Sequence, residues 1–446
     1  MHFRDLLLSM ILASGCAAAP PLPDPARRRA VVDAIAAADA ALSPDDREAR
    51  HARLAASAHA FFRGTPERFW RDLGADPRLE RYGGVTSHAW VVGDAHVENF
   101  GCQENARREV VYDINDFDEV VVADVQLDLW RLATSVVLTL REQGDLDAAA
   151  QREVVEVLAR AYLARLGDGD AAREHRLTAR EAYGLLDDLL IETESGEGRA
   201  KLLDRWTAAR DGRQVLDTGR ADLAAAPELE PALRAAWPGY LASVDAAAFP
   251  PGYFAVKSVA RRLGAGTASL GVARYYVLVE GPTSSPGDDR ILDVKEQRAP
   301  AGPAPAGLAP EERVVAGARA LAPLGDSHLG HLRAGGRGFT VVERSPYRGQ
   351  LSARAPTSEV RRATRSPSSG RTSRPRATRA QGERARAPAL SAGPAATRLG
   401  SRRSSSRSPS SRPMRPPPTT RPSSPGAPAP GAEPRPAGAA RGARPH

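Results

Sequence analysis

The densest group of polar side chains is residues 93–101 (GDAHVENFG), called here the first polar segment. It directly follows the apolar residues 89–92, which predict a short strand. Within it, Asp94 is followed five residues later by Asn99. Magnesium prefers hard oxygen ligands, and phosphoryl transfer needs a carboxylate near the acceptor hydroxyl. The segment therefore indicates magnesium–phosphate chemistry at the end of a strand.

A second polar segment, residues 113–119 (DINDFDE), ends another predicted strand at 109–115. It supplies further carboxylate ligands. The alternative is that both segments are acidic loops that only cap strands and helices. Two apolar strands that each end in Asp and Asn residues favour a functional site over this alternative.

A glycine-rich segment contains Gly264, Gly266 and Gly271 and separates two strand-like runs, 259–263 and 272–279. Glycines without side chains let backbone N–H groups approach phosphates. The segment precedes no predicted helix, which argues against a Rossmann or Walker motif. Alone it is a weak signal, because glycine-rich hairpins are common.

Lys295 lies on the next predicted strand, 291–296, and a predicted helix at 311–321 begins with Glu311 and Glu312. A glycine-rich hairpin, a strand with Lys and a helix with Glu occur in this order in the small lobe of kinases. The chain has only three Lys against 59 Arg, so a Lys at this place is informative. The alternative is a solvated charge on an edge strand.

The elements around these motifs follow from periodicity and capping signals. Apolar spacing and an N-cap at Ser43 predict helices at 26–42, 43–62 and 127–141. Residues 148–250 read as largely helical, with a buried stripe at Val155, Leu158, Tyr162 and Leu166. Residues 253–296 and 338–343 read as strands. We therefore predict an α+β protein, with Trp206 and Trp237 in its core.

Taken together, the two polar segments, Phe61-Phe62-Arg63-Gly64 and residues 128–133 (DLWRLA) resemble the bacterial family called domain of unknown function 2252. Residues 259–271 and 293–296 also match its pattern, and the resemblance covers about residues 47–351. The family is in turn similar to aminoglycoside phosphotransferases and other kinase-like proteins. This implies a two-lobed, kinase-like fold that uses ATP and Mg²⁺.

The resemblance also implies residue roles. Asp94 would be the catalytic carboxylate, and Asn99 and Asp116 would bind magnesium, with Asp113 or Asp118 as competitors for the second ligand. Asp128 would brace the catalytic loop. Lys295 would hold the nucleotide phosphates, paired with Glu311 or Glu312, under the loop of Gly264, Gly266 and Gly271.

Some assignments stay open. The small-lobe elements follow the catalytic elements here, so either the fold is circularly permuted or the glycine-rich hairpin has another role. Arg63 either binds a phosphate or pairs with a carboxylate. His96 either carries a proton or braces its loop. No spacing of His and Cys indicates zinc.

Charge divides the chain near Ser352. The formal charge is −9 over residues 1–352 and +17 over 353–446, which have 20 Arg and no Lys. The acidic body argues against specific nucleic-acid binding. The tail, rich in Arg, Pro, Ser and Ala, buries too little apolar surface to fold, which predicts disorder. It is either a basic arm for nucleic acid or anionic lipid, or, as its composition favours, the product of a frameshift in a GC-rich gene.

The N-terminus resembles a lipoprotein signal, with an apolar run before Ser14-Gly15-Cys16. Lipidation of Cys16 would anchor the chain at a membrane surface; the alternative is a cytoplasmic protein. The expected organisation is a signal or tether at 1–25, a helix-rich, large-lobe-like region with the catalytic motifs at 26–250, a β-rich, small-lobe-like region at 251–351 and the tail at 352–446.

Three functions follow from these patterns. The first is an ATP-dependent phosphotransferase acting on an unknown small-molecule or protein acceptor. The second is a pseudokinase-like module that binds nucleotide or another ligand without turnover. The third is an envelope lipoprotein with a binding role.

Overall fold

The computed structural model describes residues 24–264 and 272–351. This part of the chain is a mixed α+β fold with antiparallel sheets, which confirms the predicted class. The predictions for Cys16, Gly266, Gly271 and the tail after Leu351 lie outside the described residues.

The helices are α1 (Pro25–Ala38), α2 (Pro44–Leu54), α3 (Ala58–Gly64), α4 (Pro66–Leu73), α5 (Pro77–Tyr82), α6 (Gln126–Gln143), α7 (Ala148–Gly167), α8 (Asp170–Glu174), α9 (Leu185–Ser195), α10 (Arg199–Trp206), α11 (Glu230–Ser243) and α12 (Pro310–Leu321). The strands are β1 (His88–Val91), β2 (Phe100–Glu104), β3 (Val110–Ile114), β4 (Val121–Asp124), β5 (Thr207–Arg210), β6 (Arg213–Leu216), β7 (Leu223–Ala224), β8 (Val256–Arg262), β9 (Arg274–Val279), β10 (Arg290–Glu296), β11 (Gly330–Ala334) and β12 (Arg337–Glu343).

A six-stranded antiparallel sheet organises the C-terminal half of the described residues, in the order β11-β12-β10-β9-β8-β7. Both faces of the sheet are covered, as the side chains of strand β9 show. Tyr275 and Val277 belong to a core shared with α11, whereas Tyr276 and Leu278 belong to a second core with α10 and β6. Successive side chains on a strand point to opposite faces, so the continuous apolar run of β9 fills both cores.

Three two-stranded antiparallel pairs, β1–β4, β2–β3 and β5–β6, complete the strands of the described residues. Helix α12 packs on β11 and β12 and also contacts β1, so it connects the sheet to the pair β1–β4. The approach is close: a Cβ at Gly317 of α12 would lie 2.4 Å from a methyl of Val120 and 3.0 Å from Trp90. Glycine at this position lets the two parts touch.

The helix predicted over 43–62 is two helices, and this part of the prediction is wrong. Helix α2 ends at Leu54, and the hydroxyl of Ser57 accepts a hydrogen bond from Ala60 N at 3.1 Å to begin α3. Ser is a strong N-cap residue, so the sequence carries a second helix start inside the predicted helix.

The region predicted as largely helical, 148–250, also holds β5, β6 and β7. Strand β7 pairs with β8, so the large sheet takes residues from both sides of the expected boundary at 250. Trp206 and Trp237 are buried, as predicted. The stripe predicted on α7 is only half-buried: Val155, Leu158 and Tyr162 are partly covered, whereas Leu166 is 63% exposed.

Within the described ranges, no helix combines the length and the apolar character that crossing a membrane requires.

Candidate functional site

Side chains of helix α6 hold the first polar segment in place through hydrogen bonds. Asp128 accepts hydrogen bonds from Val92 N at 2.6 Å and Gly93 N at 2.9 Å, and Ser135 accepts one from Val97 N at 3.1 Å. Asp128, Arg131 and Ser135 are spaced by three and four residues, so they share one face of the helix. Burial raises the pKa of Asp128 to about 6, against the backbone hydrogen bonds.

Asp94 is paired with a fully buried arginine of the same helix face. Arg131 Nε donates to Asp94 Oδ1 at 2.6 Å, and the Arg131 guanidinium lies over the rings of Phe62 and Phe69. Burial nevertheless raises the pKa of Asp94 to about 7, helped by Glu119 and Asp116 and opposed by Arg131. A carboxylate with this pKa is suited to accept a proton near neutral pH.

His96 is buried beside Asp94, with its Nε2 3.7 Å from Asp94 Oδ2. Burial and the positive charges of Arg63 and Arg131 lower the pKa of His96 to about 2. The ring is therefore neutral at physiological pH. Its Nδ1 is buried and has no hydrogen-bond partner among the described residues.

Asn99 joins the two polar segments. Its Nδ2 donates to the backbone oxygens of Asp94 and Asp116, each at 3.1 Å, and its own backbone oxygen accepts from Asn115 N at 3.0 Å. Since Nδ2 is fixed by two carbonyl acceptors, the other amide atom must be the oxygen. That Oδ1 is buried and, in the described part of the chain, makes no hydrogen bond.

Lys295 of β10 reaches the second polar segment. Its Nζ lies 3.7 Å from Asp116 Oδ2 and is in direct ionic contact with Asp118 Oδ2. Burial opposes the charge of the lysine, but these two carboxylates raise the pKa of Lys295 above its usual range. Asp118 Oδ1 also accepts from Gln297 Nε2 at 3.0 Å. Asp116 is less enclosed, with 56% of its side chain exposed.

A buried arginine of α12 holds the end of the second polar segment. Arg313 donates to the backbone oxygens of Asp118, at 2.7 Å, and of Val120, and to that of Arg298 at 3.2 Å. Glu119 accepts a hydrogen bond from Ala301 N at 2.5 Å. Burial raises the pKa of Glu119 to about 6, and the neighbouring Asp118 contributes to the rise.

Two cavities meet at these side chains. The loop-side cavity, about 440 Å³, is lined by Asp94, His96, Glu98, Asn99 and Glu119. The sheet-side cavity, about 260 Å³, is lined by Arg274, Asp293, Lys295, Thr340 and apolar residues of α12. Both cavities are lined by Arg63, Asn115, Asp116, Asp118 and Arg348.

Other predicted site residues lie elsewhere or have different partners. Asp113 lines neither cavity, and its Oδ1 accepts from the adjacent Ile114 N at 2.7 Å. Gly264 follows strand β8, at the end of the first described range, and has φ +66°. Arg63 forms an ion pair with Glu98, which fits the carboxylate alternative, although it also lines both cavities.

The expected pairing of Lys295 with a glutamate of the following helix is absent from the described structure. Glu311 is buried and pairs with Arg333 at 2.6 Å. Glu312 Oε2 accepts from Ala309 N at 3.0 Å, as the cap of α12. Both glutamates have other partners, whereas Lys295 contacts the carboxylates of the second polar segment.

Arg131, Arg313 and Arg348 are three arginines at the site that sequence reasoning missed. The spacing of Arg131 from Asp128 was a usable signal, because residues three apart share a helix face and both side chains here are ionic. Arg313 and Arg348 carry no comparable signal in a sequence with 59 Arg.

Comparison with known proteins identifies the family. A model of the family described as "Uncharacterized protein conserved in bacteria (DUF2252)" matches residues 42–364, and the chain belongs to this family. No curated protein and no solved structure matches the chain.

Proposed function

We propose that the chain is a Mg²⁺- and ATP-dependent phosphotransferase acting on an acceptor hydroxyl. One observation carries the proposal: direct contacts link Asp94, Asn99, Asp116 and Lys295 into one continuous group at the junction of two cavities. Lys295 lies about 180 residues further along the chain than the other three. They are a carboxylate with a pKa near neutrality, two oxygen donors and a buried cation.

Asp94 is the group that accepts the proton of the acceptor hydroxyl. Arg131 fixes Asp94 Oδ1, while Oδ2 lies toward the neutral ring of His96. The carboxylate is partly exposed and lines the loop-side cavity, where an acceptor would lie. General-base assistance of this kind contributes roughly 10²- to 10⁴-fold to the rate.

Asn99 and Asp116 fit a magnesium ion. Asn99 offers a buried amide oxygen that lacks a partner in the described part of the chain, and the Asp116 carboxylate is exposed to the cavities. Amide and carboxylate oxygens are the donors that Mg²⁺ prefers. Bound there with ATP, the ion would neutralise charge on the transferred phosphoryl group. Lys295 would bind the phosphates.

The order of elements supports the kinase-like form of the proposal. Antiparallel strands β8 and β9 flank the glycine-rich segment, β10 carries Lys295, and α12, β11 and β12 follow. This is the order of a kinase small lobe. Because the polar segments precede it in the chain, we propose a circularly permuted arrangement.

The test is magnesium-dependent ADP release from ATP by the purified protein. Asp94→Asn and Asp116→Asn keep side-chain volume and should each reduce the rate at least about 100-fold. Asp145→Asn, at an exposed position between α6 and α7, is the matched control and should leave the rate unchanged. Full turnover in both site variants would refute the proposal.

One observation favours a second function, nucleotide binding without turnover. The fully buried Arg131 pairs with the carboxylate of Asp94, and its charge opposes the rise in pKa that suits Asp94 to act as a base. Under this alternative, ATP with Mg²⁺ raises the melting temperature of the wild type, and no ADP appears. The two measurements on one sample separate the alternatives.

A further inference from the structure

We propose that Arg348 is a phosphate-binding residue at the junction of the loop-side and sheet-side cavities. The inference rests on the proposed function, since it concerns the ligand of that same site. It adds a residue that neither the sequence motifs nor the family resemblance points to.

Arg348 is an arginine at the junction that forms no ion pair with a described residue. Its side chain is exposed and lines both cavities. It makes one hydrogen bond, from Nη2 to Glu343 O at 3.1 Å, and no ion pair with any described residue. By contrast, Arg63 pairs with Glu98, and Arg274 pairs with Asp293.

The acidic residues that line the sheet-side cavity are engaged by other groups. Asp293 accepts from Arg274 Nε at 2.7 Å, and Asp326 accepts from His328 Nδ1 at 3.0 Å. Asp116 and Asp118 face Lys295. Asp293 and Asp326 lie near enough to favour the charge of Arg348, but neither forms an ion pair with it, so its remaining N–H donors are left for a ligand.

The backbone beside Arg348 is firmly seated. Gly349 O accepts from Cys102 N of β2 at 2.6 Å, and Gln350 Nε2 donates to Glu98 O. A Cβ at Gly349 would lie 2.3 Å from Thr193 Oγ1 of α9. These contacts fix the chain on one side of Arg348, so the guanidinium is held at the wall that the cavities share.

A guanidinium recognises phosphate with two parallel N–H donors, and the residue is charged at every physiological pH. A ligand that occupies both cavities must pass the wall lined by Arg348. With Asp116 at the same wall, Asn99 in the loop-side cavity and Lys295 in the sheet-side cavity, the class of ligand is a magnesium-bound polyphosphate. The phosphates come either from a nucleotide or from a free polyphosphate.

The experiment is isothermal titration calorimetry on the full chain with two probes, ATP with Mg²⁺ and tripolyphosphate with Mg²⁺. Arg348→Gln should weaken binding about 10- to 100-fold, the value of a lost charge-assisted hydrogen-bond pair. Arg348→Lys keeps the charge but loses the two parallel N–H donors, so its affinity should be intermediate. Arg344→Gln removes the same charge from a side chain that lines neither cavity and should bind as the wild type does.

The outcomes separate the inference from the proposed function. Unchanged affinity for both probes in Arg348→Gln, with magnesium-dependent ADP release intact, overturns the inference and leaves the function. Weakened binding in Arg348→Gln by a protein that releases no ADP supports the inference and refutes catalysis. A wild type that binds neither probe overturns both. Loss of ATP binding alone identifies the nucleotide as the source, and loss of both indicates recognition of the phosphates themselves.

Discussion

Glu119 makes the folded state sensitive to pH at the scale of a single residue. Its folded pKa of about 6 lies above the ordinary value of 4.5. The folded state therefore binds this proton more tightly, and the resulting stability is present below pH 4.5 and lost as pH rises through 6. The loss is about 2 kcal/mol.

Replacement of Glu119 by Gln removes this titration and keeps an oxygen to accept the hydrogen bond from Ala301 N. The free energy of unfolding of Glu119→Gln, relative to the wild type, should be about 2 kcal/mol higher at pH 8 than at pH 4. Urea denaturation at the two pH values measures it. Glu153→Gln, on the exposed side of α7, is the control. If the difference in unfolding free energy between Glu119→Gln and the wild type is the same at both pH values, the prediction is wrong.

Single residues of the site were predictable where polar side chains follow apolar strands, as Asp94, Asn99 and Asp116 do. Their partners were not. Lys295 contacts Asp118, and Asp94 contacts Arg131, because tertiary packing brings these charges together. The order of residues in the sequence does not give the distances between their side chains. The kinase-like resemblance therefore paired Lys295 with Glu311 or Glu312, which have other partners.

At the scale of elements, the turn from β1 into the first polar segment depends on one glycine. Gly93 has φ +77°, and a Cβ there would lie 2.0 Å from Glu119 O. Gly144, at the C-terminus of α6, has φ +74° but open space around it. The two positions share their backbone conformation and differ in their neighbours.

Alanine at both positions separates conformational strain from steric clash. Gly144→Ala should cost about 1 kcal/mol, the penalty of a left-handed conformation. Gly93→Ala adds a backbone collision and should cost at least about 3 kcal/mol in urea denaturation. Equal losses would mean that the turn shifts freely away from Glu119.

Elements with strong signals were predicted within a few residues, as α6, α12, β1 and β3 show. The misses have different physical causes. Strands β5 to β7 are two to four residues long and lie in an Ala-rich region, so helix periodicity in their neighbours outweighed them. Strands β5 and β6 pair with each other across Asp211-Gly212, a hairpin signal that the helical interpretation passed over. Strand β7 pairs with β8, and that pairing is not local.

At the scale of the whole molecule, charge is divided between the family-matched region and the residues after it. Residues 1–364, which end where the family match ends, carry a formal charge of −7, and residues 365–446 carry +15. Attraction to polyanions scales with the number of cationic groups that reach them. Any affinity of this chain for nucleic acid should therefore reside in the residues after 364.

A chain ending at residue 364 tests this division. The full chain should be retained on heparin at low salt and released as salt rises, whereas the shortened chain should pass through, since its net charge is negative. An unchanged melting temperature shows that the shortened chain keeps its fold. Retention of the shortened chain would reveal a basic surface on residues 1–364 and reopen nucleic acid as a partner. If retention is lost while magnesium–ATP affinity is kept, the acidic group around Asp94 and Asp116 works independently of the basic tail.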